Sequence, residues 1–146
     1  MAKGYPDFFG YSMFPYYGGP YLETGNVITA GAGLATVLTI AAKGIVRGGS
    51  IIAILPNVTD IWGTYIYADG QLVQVIQYDS GYTEYDNIDN FSCMTLDYLS
   101  MSQLVARFNI KEGISFQDEL TLRIYRAVAA ADYSADARIV YHRIEA

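Results

Sequence analysis

The sequence predicts an all-β protein, an antiparallel β-sandwich of jelly-roll-like form preceded by an extended N-terminal arm. Three observations carry this. Seven to nine short runs of β-branched and aromatic residues recur along the chain with turn residues between them at regular spacing, the pattern of sandwiches and jelly rolls. Two segments alternate strictly: Leu104, Ala106, Phe108 and Ile110 against Gln103, Arg107 and Asn109, and Leu120, Leu122 and Ile124 against Thr121, Arg123 and Tyr125. Finally, Asp69-Gly70 separates two such runs, a dipeptide suited to the positive φ angles of a two-residue hairpin.

The arm comes first. Residues 1–24 hold eight aromatic residues, four glycines and three of the four prolines of the chain. Pro6, Pro15 and Pro20 exclude a continuous helix or a central strand, because proline has no N–H to give and fixes φ. An extended segment lying in a groove satisfies these constraints, with residues 25–146 as the sandwich domain. Runs at 27–30 and 35–42 then flank Gly31-Ala32-Gly33. The uncharged stretch 26–42 is short of the roughly 20 residues that a membrane helix needs, and its glycines and threonines suit sheet. Lys43-Gly44 turns into a strand over 45–55, closed by Pro56-Asn57. Strands over 64–68 and 71–78 form the hairpin around Asp69-Gly70. Residues 79–92 read as a polar loop with aromatic inserts, and 94–101 as a short helical turn. The alternating strand 103–110, a turn at Lys111-Glu112-Gly113 and the strand 120–125 follow. A small-residue stretch, 129–135, leads to the final strand, 137–144.

Composition bounds the function. The 146 residues make one domain, 52% hydrophobic and only 16% charged, against roughly 25% charged in a typical soluble domain. Little charge remains to cover a monomer, so part of the apolar surface is expected to face another chain. Fourteen tyrosines agree, since tyrosine brings apolar area and a hydrogen-bonding tip at small entropic cost. The net charge of −6 and nine scattered basic residues argue against a nucleic-acid partner. Met1-Ala2-Lys3 runs directly into Gly, Pro and aromatics, unlike a secretory leader. With no signal segment, Asn57-Val58-Thr59 and Asn90-Phe91-Ser92 are expected to be accidental matches to the glycosylation pattern.

No catalytic apparatus is apparent. Cys93 and His142 are each the sole residue of their kind, so neither a disulfide nor a cysteine zinc site is available. Gly31-Ala32-Gly33-Leu34-Ala35-Thr36 resembles the opening of a dinucleotide fingerprint, but β-branched residues follow where the helix must begin. Asp79, Glu84, Asp86, Asp89 and Asn90 fail calcium-loop spacing, with Ile88 at the third ligand position counted from Asp86. A glycosidase-type pair, Asp86 with Asp89, requires a cleft that sequence does not define. Ser50, Ser80 and Ser134 lack a nucleophile-elbow context. The expectation is a non-enzyme without metal or cofactor.

The aromatic arm is the most informative segment. Tyr5, Phe8, Phe9, Tyr11, Phe14, Tyr16 and Tyr17 read as anchors for a partner surface. Trp62, Tyr65, Tyr82 and Tyr85 form a candidate ligand surface, able to stack on sugar faces while the acidic loop bonds hydroxyls. That is the alternative reading, a carbohydrate-binding module.

The segment Gly4-Tyr5-Pro6-Asp7-Phe8-Phe9-Gly10, with Phe14-Pro15-Tyr16-Tyr17-Gly18, resembles the start of small accessory structural proteins of tailed bacteriophages. The strand-turn 65–75, Gly113-Ile114-Ser115-Phe116 before 120–125, and Ile139-Val140-Tyr141 are similar too. The resemblance implies a β-sandwich, often a homotrimer, located in the virion after synthesis in the host cytoplasm. It would attach through its N-terminal segment to a capsid, head fibre or tail and decorate the particle or touch the host. Its partners would be its own copies, other virion proteins and a host-surface glycan, with no nucleic acid and no membrane. The family offers no catalytic residues to carry over, and the loop 79–92 departs from its pattern.

Overall fold

A computed structural model describes residues 17–29, 32–54, 62–78, 93–100, 105–126 and 133–144. Within them lie ten strands, β1 (Tyr17–Thr29), β2 (Gly33–Ile40), β3 (Gly44–Ile54), β4 (Trp62–Ala68), β5 (Gln71–Tyr78), β6 (Met94–Ser100), β7 (Val105–Ile110), β8 (Ser115–Phe116), β9 (Leu120–Arg126) and β10 (Tyr133–Ile144). They form two antiparallel sheets packed face to face. Sheet one runs β1-β10-β3-β7-β6, with β8 continuing the line of β7 along β3. Sheet two runs β2-β9-β4-β5. The outer pairings are nested, β1 with β10, β2 with β9 and β3 with β8, as in one long hairpin wrapped on itself. This is jelly-roll order, with the β6 hairpin strand added at the edge of sheet one.

Alternation places the core as expected. Leu120, Leu122 and Ile124 of β9 and Ala106, Phe108 and Ile110 of β7 are all buried. So are Ala135, Ala137, Ile139 and Tyr141 of β10. The hairpin at Asp69-Gly70 forms with φ of 54° and 80° at its two turn residues, the left-handed conformation that Asp and Gly accept most readily.

Bulges correct the parity where alternation fails. Val46 and Ile51 both face the core although five positions separate them. The register of β3 against β10 slips between Val140 and Tyr141, leaving Arg47 as the extra, exposed residue. A second slip, opposite Arg123 and Leu122, lets consecutive Val37 and Leu38 both be buried.

Three expectations change. The helical turn over 94–101 is instead strand β6, paired with β7. Met94 is buried, and a bulge at Asp97 breaks the alternation that would have marked the strand. Residues 17–24, expected in the arm, already belong to β1 and pair with β10 from Tyr17 opposite Ile144 onward. Pro20 is accommodated because β1 is an edge strand with a register shift between Gly18 and Tyr21. The small-residue stretch 129–135 is strand at its end, where Tyr133 opens β10. The loop 79–92 and residues 1–16 lie outside the described residues.

Two features tie the sheets together. Gly25 of β1 sits so close to the Val37 carbonyl of β2 that any Cβ there would collide with it. Gln74 of β5 faces inward and is buried. Its Oε1 accepts the Cys93 and Met94 N–H groups at 2.6 and 2.8 Å, and its Nε2 donates to the Met94 carbonyl at 2.7 Å. One amide thereby satisfies three backbone groups at the entry to β6, where sheet two meets sheet one. Gln74→Leu, of similar volume, leaves those groups without partners and lowers unfolding free energy by about 2–4 kcal/mol; urea denaturation of the two chains measures the difference.

Candidate functional surfaces

The outer face of sheet two carries an aromatic cluster. Strand alternation turns Tyr65 and Tyr67 of β4 and Arg123 and Tyr125 of β9 away from the core, opposite in parity to Ile66, Leu122 and Ile124. The Tyr65 and Tyr67 rings lie 6.3 Å apart and nearly parallel, at 13°. Tyr125 tilts against Tyr65 at 6.1 Å, and the Arg123 guanidinium lies over the Tyr67 ring at 5.0 Å. All four side chains are half-buried, while Val75 and Thr121, which pair with Tyr65 and Tyr67 on the same face, are buried. The cluster combines flat apolar faces, phenolic hydroxyls and one cation.

Only part of the sequence-predicted ligand surface falls here. Tyr65 is in the cluster. Trp62 is the first residue of β4. Tyr82 and Tyr85 lie outside the described residues. Tyr67, Arg123 and Tyr125 were missed as site candidates although the alternation in 120–125 and the pairing of β4 with β9 are what bring them together. The first of these was readable; the second was not, since 52 residues lie between Ala68 and Thr121 along the chain.

Of the arm anchors, Tyr17 is the first residue of β1; Tyr5, Phe8, Phe9, Tyr11, Phe14 and Tyr16 lie outside the described residues, as do both glycosylation-pattern asparagines and the acidic loop. Among the described residues, no group of three His, Cys, Asp or Glu side chains is placed to hold a metal ion. No helix among them is long and apolar enough to cross a membrane. The glycine-rich Gly33 turn leads into strand β2 with φ of 99°, not into a helix, so the dinucleotide reading has no helix N-terminus to bind a pyrophosphate.

An open cavity of about 450 Å³ lies at one end of the sandwich, between the β4–β5 hairpin and the β7–β8 turn. Ala68, Val73 and Ile114 give it apolar walls, Lys111 and Glu112 opposed charges, and Cys93 a thiol. Burial holds the Cys93 thiol above its ordinary pKa, against the weaker opposing pull of its own backbone N–H and of Lys111. The thiol is therefore less nucleophilic near neutral pH than a free cysteine.

Asp69, the exposed first residue of the hairpin turn, clasps the loop before β9. Its carboxylate accepts the N–H groups of Asp118 at 2.6 Å, Gln117 at 2.8 Å and Glu119 at 3.0 Å, while its own N–H donates to the Glu119 carbonyl at 2.8 Å. These bonds, that from Asp118 foremost, hold the Asp69 pKa below the ordinary value of 3.8. The role is structural, joining the hairpin of sheet two to the β8–β9 connection. No known protein-family model matches the sequence, and no curated protein matches it.

Because the folded pKa of Asp69 is depressed, its ionised form favours the native state above the unfolded value near pH 4, and that contribution is lost as pH falls through the folded value. Asp69→Asn should lower stability at neutral pH and flatten the acid-side decline; urea titrations of both chains from pH 7 to pH 2 read the change in slope.

Proposed function

We propose that this chain is a non-enzymatic structural jelly roll of a virus particle, which self-associates through its sandwich and docks through the aromatic residues that precede β1. The observation that carries the self-association is the outer face of sheet one. Leu22, Ile28, Ile52, Ile54 and Tyr98 are exposed there, on a chain whose charged fraction is too small to surround them. Ile28 stands opposite Ser134 and Ser134 opposite Ile54, with Ile52 in the adjacent row, and exposed apolar residues grouped in this way mark interaction surfaces. The jelly roll suits the role because two rigid sheets leave outer faces and edges free for symmetry mates, and capsid proteins are one recurrent use of this topology. The virion context rests on the resemblance of the N-terminal segment and of the strand motifs to phage accessory proteins.

The Tyr65–Tyr67–Tyr125–Arg123 cluster favours a second reading, a glycan-binding face on sheet two. Jelly rolls also serve as lectin domains, and fold alone does not choose between these roles. The readings are compatible, since a surface protein of a particle can also touch host glycans.

Absolute molar mass by light scattering tests the first reading. The full chain is expected to be an oligomer at about 10 μM, a concentration typical for a specific interface. It should remain one when Phe8, Phe9 and Phe14 are replaced together by Ser, which places association in the sandwich. A monomer in both cases removes the reading. For the second, a glycan array should give hits that Tyr65→Ala and Tyr125→Ala each weaken about tenfold or more, the loss of roughly one stacking contact. An array without hits removes it.

A further inference from the structure

The outer face of sheet one has a charge pattern that fits a second copy of itself. Three neighbouring strands define it. In one row across the sheet, Asp136 of β10 stands beside Ile52 of β3, and Ile52 beside Arg107 of β7. In the next row, Ser134 stands beside Ile54, and Ile54 beside Val105. Each row thus centres on an isoleucine of β3, and the inner row carries an acid on one side and a base on the other. Strand spacing puts Asp136 and Arg107 about 10 Å apart with Ile52 midway. Both are exposed; Ile52 and Ile54 are 37% and 50% exposed.

A two-fold axis running along β3 in the plane of contact exchanges the two sides of that row. Ile52 and Ile54 of one copy then face the same residues of the other. Asp136 of each copy faces Arg107 of the other, twice in the contact. Two sheets so related pack about 10 Å apart, the spacing of the sheets of a sandwich, with the isoleucine side chains meeting their counterparts between them. The same patch serves both copies, which is the property of an isologous contact.

The charges of the face agree with this occupant. Asp136 forms no ion pair within the described residues of its own chain. Arg107 binds Asp97 at 2.7 Å at the rim, with Tyr98 beneath its guanidinium at 5.9 Å. That arrangement holds the arginine in place on the face while leaving donors for a second carboxylate. A partner of one charge sign would meet repulsion at either Asp136 or Arg107. A copy of this chain meets attraction at both.

We infer that the outer face of sheet one, centred on Ile52 and Ile54 and flanked by Asp136 and Arg107, is a two-fold interface between copies of this chain. The inference rests on the self-association proposed above and names the surface that produces it.

Reciprocal charge reversal in the full chain tests it. Asp136→Arg sets like charges against Arg107 of the second copy at both contacts, and Arg107→Asp does so against Asp136. Each variant alone should dissociate with a Kd raised about tenfold or more, since like-charge juxtaposition is strongly unfavourable. In an equimolar mixture of the two variants, every reversed position faces its complement. Dimers should then re-form with a Kd within about tenfold of the wild type. Ile54→Glu, an exposed and therefore fold-neutral change checked by far-UV circular dichroism, should weaken association by a similar factor. Sedimentation equilibrium of the wild type, of each variant and of the mixture reads all three results. A wild-type chain that is monomeric throughout overturns self-association itself. An oligomer unaffected by any of the substitutions, or a trimer, overturns this face as a two-fold interface and leaves self-association standing. Variants that dissociate but do not pair on mixing overturn the Asp136–Arg107 contact.

Discussion

The placement of β10 between β1 and β3 organises this molecule. The last strand of the chain fills the centre of sheet one, so Tyr133–Ile144 must find two partners that were made long before it. Its inward residues, Ala135, Ala137, Ile139 and Tyr141, are all buried, and its two neighbours pair with it along most of its length. Tyr141 connects the end of the core outward, stacking on Tyr21 of the edge strand at 5.6 Å and tilting against Phe116 at 6.0 Å. Without β10, β1 has no partner in sheet one and the nested pairing of β2 with β9 loses its neighbour. Such non-local pairing repays its loop-closure cost only when most of the chain is assembled, which is the physical reason that folds of this topology form slowly.

The second constraint is parity. A strand has two faces, and an insertion of one residue would turn the rest of it inside out. Here bulges at Arg47, Val37 and Asp97 reset the alternation wherever the apolar pattern skips a beat, so that Val46 and Ile51, or Val37 and Leu38, reach the same core. The bulged residues themselves are put to use. Arg47 lies 3.9 Å from Glu112, and Asp97 holds Arg107 on the outer face. The pattern of the interior thereby shapes the pattern of the surface.

Because both inner faces are consumed by the core, the outer faces carry whatever recognition the sandwich provides, and they differ. Sheet one presents aliphatic residues between charges of both signs. Sheet two presents tyrosines around one arginine. The remaining polar contacts serve architecture: buried Gln74 satisfies the backbone at the entry to β6, and exposed Asp69 ties the hairpin to the loop before β9.

The sequence by itself determined the class of fold and much of the core. Strict alternation at 106–110 and 120–124, and the two-residue turn at Asp69-Gly70, depend only on local geometry, and each appears in the structure as read. It did not disclose β6 as a strand, because the bulge at Asp97 hides its period, nor the start of β1 at Tyr17, because prolines and glycines mask an edge strand whose stability comes from pairing with β10. The surfaces were least readable. Tyr65 and Tyr125, or Asp136, Ile52 and Arg107, become neighbours only through register between strands distant in the chain. Alternation states which way a residue points; pairing alone decides what stands beside it, because cross-strand contacts are set by where the whole chain closes and not by any segment of it.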